Sequence, residues 1–250
     1  MIEYDDRLSR SCLLMGDEGM EQLRQTKVII FGVGGVGSWC AESLVRTGLT
    51  HLTIVDGDTV CVSNINRQLM ATMETVGSVK VEVLRQRLLS INPDAQITAR
   101  HELFNESSVA SFELDSYDII IDAIDSLNDK ASLILHSCRT KARLFSSMGA
   151  ALKMDPRKVS VTEFWKVKGC PLARALRQLF KKRGERPARK FLCVYSEELL
   201  TNKGEVSPSV ADHKRVNGSL MHITALFGLT LAGLVVQHIY ESVHSAHRQC

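Results

Sequence analysis

The run Lys27-Val-Ile-Ile-Phe31, followed at once by Gly32-Val-Gly-Gly-Val-Gly37, leaves this chain few folds to choose from. A short, β-branched, apolar stretch that stops at glycine has the pattern of a parallel strand buried on both faces. Gly32, Gly34 and Gly37 form G-x-G-x-x-G. Between a strand and a helix, that spacing lets backbone amides and a helix N-terminus come close to an anionic phosphate. Any one of these glycines is explained by a tight turn and close helix–strand packing. The three together, in this position, indicate a nucleotide site.

Residues 38–46 have helical spacing closed by Gly48, and His51-Leu-Thr-Ile-Val55 is a second buried strand ending in Asp56. This completes a βαβ unit of Rossmann size. Asp56 lies 24 residues beyond Gly32, where a carboxylate can accept hydrogen bonds from ribose hydroxyls. A helix over 18–24 precedes the unit, and a helix over 79–91, stopped by Asn92-Pro93, follows it. Further strands are predicted at 96–101, 117–122 and 144–147, with a helix at 126–139 and an alternating, antiparallel-type strand at 159–164. The expected fold class is α/β: a Rossmann-like, doubly wound, mostly parallel sheet with antiparallel strands and a C-terminal helix. At 250 residues the chain has room for one such unit and an appendage.

NAD and ATP fit the glycine motif equally well. They are separated by Asn64-Ile-Asn-Arg-Gln68, Lys80 and Asp122-Ala-Ile-Asp125. Hydride transfer has no use for a cation cluster around a triphosphate. Adenylyl transfer needs one, because charge builds on the α-phosphate and the departing pyrophosphate. Arg67 and Lys80 suit phosphate oxygens, and Asp125 suits a hard cation such as Mg²⁺. Taken singly, Arg67 reads as a loop salt bridge, Lys80 as a solvated helix residue, and Asp125 as an N-cap for the following helix.

These motifs, with Asp56-Gly-Asp58, resemble in order and spacing the ubiquitin-activating-enzyme superfamily of adenylyltransferases over about residues 4–151. Within it the chain is similar to the tRNA threonylcarbamoyladenosine dehydratases. Arg7-Leu-Ser-Arg-Ser-Cys-Leu-Leu-Met-Gly16 resembles their opening, Phe191-Leu-Cys-Val-Tyr-Ser-Glu197 a later strand, and Gly218-Ser-Leu-Met-His-Ile-Thr-Ala-Leu-Phe-Gly228 their final helix. The resemblance implies one ATP-binding domain over 1–250, with a basic insertion at 166–190 and the C-terminal helix at 216–244. It implies that Gly34 and Gly35 lie along the nucleotide, Asp56 on its ribose, Asn64, Arg67 and Lys80 on its phosphates, and Asp125 near Mg²⁺. Gly32, Gly37, Asp58, Gln68 and Asp122 complete the expected nucleotide site. Arg10 matches an arginine that related proteins lend to a neighbouring subunit's ATP, which implies a homodimer. The implied reaction is the ATP-dependent dehydration of threonylcarbamoyladenosine in tRNA, closing a ring through an acyl-adenylate.

The alternative is activation of the C-terminus of a small sulfur-carrier protein, and sulfur-transfer proteins are a possible partner class on either reading. Relatives of that kind often carry paired C-x-x-C zinc ligands. The seven cysteines of this chain include no such pair, which favours neither a zinc site nor a disulfide framework and fits a reducing cytoplasm. Cys170 and Cys193 are the candidate nucleophiles, against a default of buried free thiols.

Charge adds a partner. Between Arg174 and Lys190 stand eight basic residues and one acid, Glu185, in a chain whose net charge is only +3. A local cationic patch of this kind is a candidate footprint for the tRNA backbone, against the plainer reading of a solvated loop. Leu172, Leu176, Leu179 and Phe180 are spaced as an apolar helical stripe that would dock it. The acidic opening Met-Ile-Glu-Tyr-Asp-Asp predicts no secretory signal. The apolar run 220–236 would rise about 26 Å as a helix, short of a bilayer core of about 30 Å, and is expected to be a core helix rather than a membrane anchor.

Overall fold

The computed structural model describes residues 6–204 and 217–247. Seven strands are present: β1 (Lys27–Phe31), β2 (His51–Val55), β3 (Gln96–Arg100), β4 (Ile119–Asp122), β5 (Arg143–Ser147), β6 (Val159–Glu163) and β7 (Leu192–Ser196). They form one sheet in the order β3-β2-β1-β4-β5-β7-β6. All pairings are parallel except β6 against β7. The strand order reverses between β1 and β4, and in such sheets a ligand binds beyond the strand ends at that reversal.

Strand periodicity accounts for the continuous apolar runs. Val28 and Ile30 point into one core, Ile29 and Phe31 into the other, and all four are fully buried. Helices α2 (Gly37–Thr47), α3 (Lys80–Ile91) and α6 (Met221–His247) cover the first face, and α4 (Leu127–Ser137) and α5 (Pro171–Arg183) cover the second.

Two helices differ from expectation. The helix predicted at 18–24 is the end of a longer α1 (Ser9–Gln25), made of two pieces that meet at Gly16 (φ 71°, ψ 172°). A Cβ there would meet nothing within 4 Å, so this glycine serves the backbone bend and not packing. The C-terminal helix starts at Met221 and not at 216, a residue outside those described.

The span Met221–His244 is long and apolar enough to cross a membrane by length and hydropathy alone. Its row Ile223, Phe227, Leu231, Val235 and Ile239 is nonetheless buried, packing on α2 and β5. The approach to α2 is close: a Cβ on Gly228 would sit 2.3 Å from the Val36 carbonyl oxygen and 2.9 Å from the Cys40 nitrogen. Because those are backbone atoms, Gly228→Ala should push the two helices apart and cost about 1–3 kcal/mol. Urea denaturation checks this, and an unchanged midpoint would mean that α2 and α6 are less tightly apposed.

Candidate active site

The glycine turn is built from two kinds of glycine. Gly32 has φ +84°, and a Cβ on it would lie 2.8 Å from the Ala123 carbonyl oxygen. A Cβ on Gly37 would lie 1.9 Å from the Gly32 carbonyl oxygen. These two allow β1 to turn into α2 beneath the end of β4. Gly35 packs under the Arg67 stem and Thr224 of α6, each 3.2 Å from a Cβ. Gly34 is different: the nearest atom to its Cβ position is Gln68 Nε2 at 3.7 Å. The space above it is available to a ligand, and the N-terminus of α2 faces that space with partial positive charge.

Asp56, at the end of β2, is tied into this turn. Its Oδ2 accepts from the Val33 amide (2.9 Å) and its Oδ1 from the Asp58 amide (3.0 Å). Lys80 opens α3, where its side chain is only 6% exposed. Its ammonium is 2.7 Å from Asp58 Oδ2 and 3.9 Å from Asp56 Oδ1. Lys80 is therefore a buried, charge-paired lysine and not a solvated helix residue. Asp58 is 63% exposed, so water can take it over if Lys80 turns to a phosphate.

The loop Asn64–Gln68 closes the other side. Asn64 is buried, its side-chain oxygen accepting from the Cys61 amide (3.1 Å), and its carbonyl accepts from the amides of Arg67 (3.1 Å) and Gln68 (2.9 Å). Arg67 donates to the Ser63 carbonyl and to Asn66 Oδ1, both at 2.9 Å. Burial lowers the pKa of its guanidinium, and the charge of Asp125 opposes that shift, so the two residues sense each other across the site. Gln68 is buried over Gly34, and its Oε1 has no hydrogen-bond partner among the described residues. An orphaned acceptor costs about 1–3 kcal/mol, which a bound donor would relieve.

β4 ends in a turn that divides its two aspartates. Asp125 is exposed, and the N-cap position of α4 belongs to Ser126, so capping does not account for Asp125. Asp122, expected on the nucleotide, has no exposed side-chain surface. Its oxygens are taken by Lys130 Nζ (2.8 Å), Ser146 Oγ (2.6 Å) and the Ile124 amide (3.2 Å). It is a fastener beneath the site and not a ligand contact. Among the described residues, no three His, Cys, Asp or Glu side chains converge as a metal cage. A hard cation at Asp125 would thus be completed by phosphate oxygens and water, the usual arrangement for Mg²⁺.

Lys130, Ser146, Thr224 and Trp39, whose indole donates to the Arg67 carbonyl at 3.1 Å, were not anticipated. Lys130 alone carried a signal, being a charge on the buried stripe of α4 with Ile134 and Ser137. Cys170 and Cys193 are both buried, and burial raises the Cys193 thiol pKa well above its usual value. Neither is placed as a surface nucleophile. Arg10 is exposed at the start of α1.

The basic segment corresponds to α5 and the loop after it. Leu176 and Phe180 are buried with Ala173, while Leu172 and Leu179 are half-buried. Two of the eight cations are half-buried and bonded to backbone carbonyls. Arg177 donates to the carbonyls of Phe164 (3.2 Å) and Val167 (3.1 Å), and Arg189 to those of Ser137 (3.0 Å), Lys141 (3.3 Å) and Ala142. Arg174, Lys181, Lys182, Arg183, Arg186 and Lys190 are exposed, Arg186 lying 4.8 Å over the Trp165 ring.

The family model described as the ThiF family matches residues 8–248. A tRNA threonylcarbamoyladenosine dehydratase of Bacillus subtilis is 31% identical over 243 residues, covering 95% of this chain and 96% of the relative. One from Escherichia coli is 37% identical over 178 residues, 71% of this chain and 66% of the relative. The crystal structure of E. coli tRNA N6-threonylcarbamoyladenosine dehydratase in complex with ATP superposes with a TM-score of 0.85 at 32% identity, covering 100% of both chains.

The open space at Gly34 can be tested directly. Gly34→Ala should fold with unaltered thermal stability, since the added methyl meets only the end of Gln68 at contact distance. ATP affinity, measured by calorimetry, should fall about tenfold, or about 1.4 kcal/mol. Unchanged affinity would place the phosphates elsewhere.

Proposed function

The chain belongs to the ThiF family, and on that premise we propose that it is an ATP-dependent tRNA threonylcarbamoyladenosine dehydratase. The observation that carries this reading is the open cradle at Gly34, flanked by Asp56 and Lys80 on one side and by Arg67 and Asp125 on the other. Asp56 accepts hydrogen bonds from the ribose of ATP, and the amides at Gly34 and Gly35 line its phosphates. Lys80 exchanges Asp58 for a phosphate, and Arg67 with Asn64 and Gln68 binds from the opposite wall. Asp125 would hold Mg²⁺, which would spread the charge of the phosphates.

The threonyl carboxylate of the modified adenosine attacks the α-phosphate, forming an acyl–phosphate bond and releasing pyrophosphate. Lys80 and Arg67 stabilise the charge that builds there. The carbamoyl group then attacks the activated carbonyl, losing a proton as the ring closes and AMP departs. Relative to its protonated carboxylic acid the substrate has lost one water: the acid's proton was given up on ionisation, a carboxylate oxygen leaves on AMP, and the proton released on ring closure goes to solvent.

Arg10 completes the ATP site of a second copy. Leu13 and Leu14, 88% and 81% exposed on the same helix, support a subunit contact there. The six exposed cations of the α5 segment hold the tRNA backbone. The free state of the six described cysteines is consistent with a reducing cytoplasm.

Pyrophosphate release with and without tRNA tests the reaction, and tRNA carrying threonylcarbamoyladenosine should be required for turnover. Lys80→Ala should lower turnover by about two to three orders of magnitude and ATP affinity by less. Mixing that protein with Arg10→Ala should restore part of the activity through mixed dimers. Near-normal turnover by Lys80→Ala would remove the assigned site.

The basic segment predicts a salt dependence. If five or six cations neutralise phosphates in a duplex stem, log K for tRNA should fall with log salt at a slope of about −5. Replacing Lys181, Lys182 and Arg183 by alanine should flatten that slope by about three and leave ATP affinity unchanged. Filter binding at several salt concentrations decides it, and an unaltered slope would take this segment out of the tRNA site.

A further inference from the structure

Beneath the exposed Asp125 lies a charge pair that the reaction does not touch. Lys130 and Asp122 are both wholly buried, with Nζ 2.8 Å from Oδ2. The same ammonium donates to the Ile124 carbonyl at 2.9 Å. The Ile124 amide in turn donates to Asp122 Oδ1 at 3.2 Å. Residue 124 is thus gripped at both its amide and its carbonyl. Its carbonyl belongs to the peptide unit that carries the nitrogen of Asp125, so gripping it sets the plane from which Asp125 departs. The remaining anchors are rigid: Ser146 of β5 holds Asp122 from the paired strand, and the Ala123 amide donates to the Phe31 carbonyl at 2.8 Å.

Stability alone gives little reason for this pair. Removing two ions from water is costly, and an apolar pair of similar volume often leaves a protein equally or more stable. What an apolar pair cannot supply is a directed bond to the Ile124 carbonyl. We propose that Lys130 is a positioning residue for adenylylation, fixing the peptide before Asp125 and so the place of the metal opposite Arg67. This inference rests on the assignment of Asp125 to Mg²⁺ made above.

The test uses Mn²⁺ in place of Mg²⁺ and α,β-methylene ATP as a non-reacting nucleotide, with bound metal read by electron paramagnetic resonance. Lys130→Met alone strands a buried carboxylate, so the variant is Lys130→Met with Asp122→Leu. It should melt within a few degrees of the unaltered protein and bind the metal-free nucleotide within about twofold. Its Mn²⁺ affinity in the nucleotide complex should fall about tenfold. Lys130→Gln with Asp122→Asn keeps a neutral, shorter donor and should lose about three- to fivefold, so that it also carries the test if the apolar pair does not fold. Unaltered Mn²⁺ affinity in either folded double variant would overturn the proposal. Should Asp125→Ala itself bind Mn²⁺ like the unaltered chain, the metal assignment fails and the positioning role falls with it.

Discussion

Between β1 and α2 the carbonyl oxygen of Gly32 stands 1.9 Å from where a side chain on Gly37 would begin, and much of the molecule is arranged around that crowding. The turn brings the first amides of α2 directly over the end of β1, where the sheet reverses its strand order. It is also clamped from outside. Ala123 presses on Gly32 from the end of β4, and α6 packs against Val36 through Gly228 and against Gly35 through Thr224. Three segments distant in sequence, the end of β4, the loop at Arg67 and Gln68, and α6, therefore meet at one turn of six residues. Only glycine satisfies the meetings at positions 32 and 37, so neither can carry a side chain without moving the strand ends that lead to Asp56 and Asp125.

Three pairs of opposite charge surround this turn, and their exposure is graded. Lys130 and Asp122 are sealed, so neither can be released to a ligand without leaving a buried charge uncompensated. Lys80 is buried while its partner Asp58 is largely in water. That asymmetry makes the pair exchangeable, because a phosphate can take the ammonium while the carboxylate is rehydrated at little cost. The charge of Asp125 acts on Arg67 against the effect of burial, with no hydrogen bond between their side chains among the described residues. Burial thus sorts the same chemistry into a sealed fastener, a buried cation with an exposed partner, and a longer-range pair.

Most of the fold was legible because buried strands and glycine turns leave local marks. All seven strands were anticipated to within about two residues from apolar runs, acidic ends and family likeness. What was not legible depends on contacts made at a distance. Nothing in the local pattern separates Asp122 from Asp125: only Ser146 on the neighbouring strand and Lys130 in the first turn of α4 reveal that one is interior. The same holds for Arg177 and Arg189, whose charge suggested solvent but whose guanidinium groups close off backbone carbonyls left by neighbouring loops. Composition counts a cation without saying where its donors go. Conversely, Thr224 became a neighbour of the glycine turn only because α6 crosses α2 at Gly228.

That crossing also decides how the apolar C-terminal helix should be understood. Hydropathy cannot distinguish a core helix from a membrane span, since both require a long apolar row. Their difference lies in what the row leaves behind when it moves. Ile223, Phe227, Leu231, Val235 and Ile239 are each at most 3% exposed. At about 1.5–3 kcal/mol per side chain, their burial is worth on the order of 10 kcal/mol, an upper bound set by the extended-chain reference. A bilayer could repay that to the helix, but not to the sheet face and α2, whose apolar surface would then meet water. Withdrawal would also strip Thr224 from Gly35 and uncover one wall of the glycine turn. The helix that looks most like an anchor is, on this balance, one wall of the glycine turn.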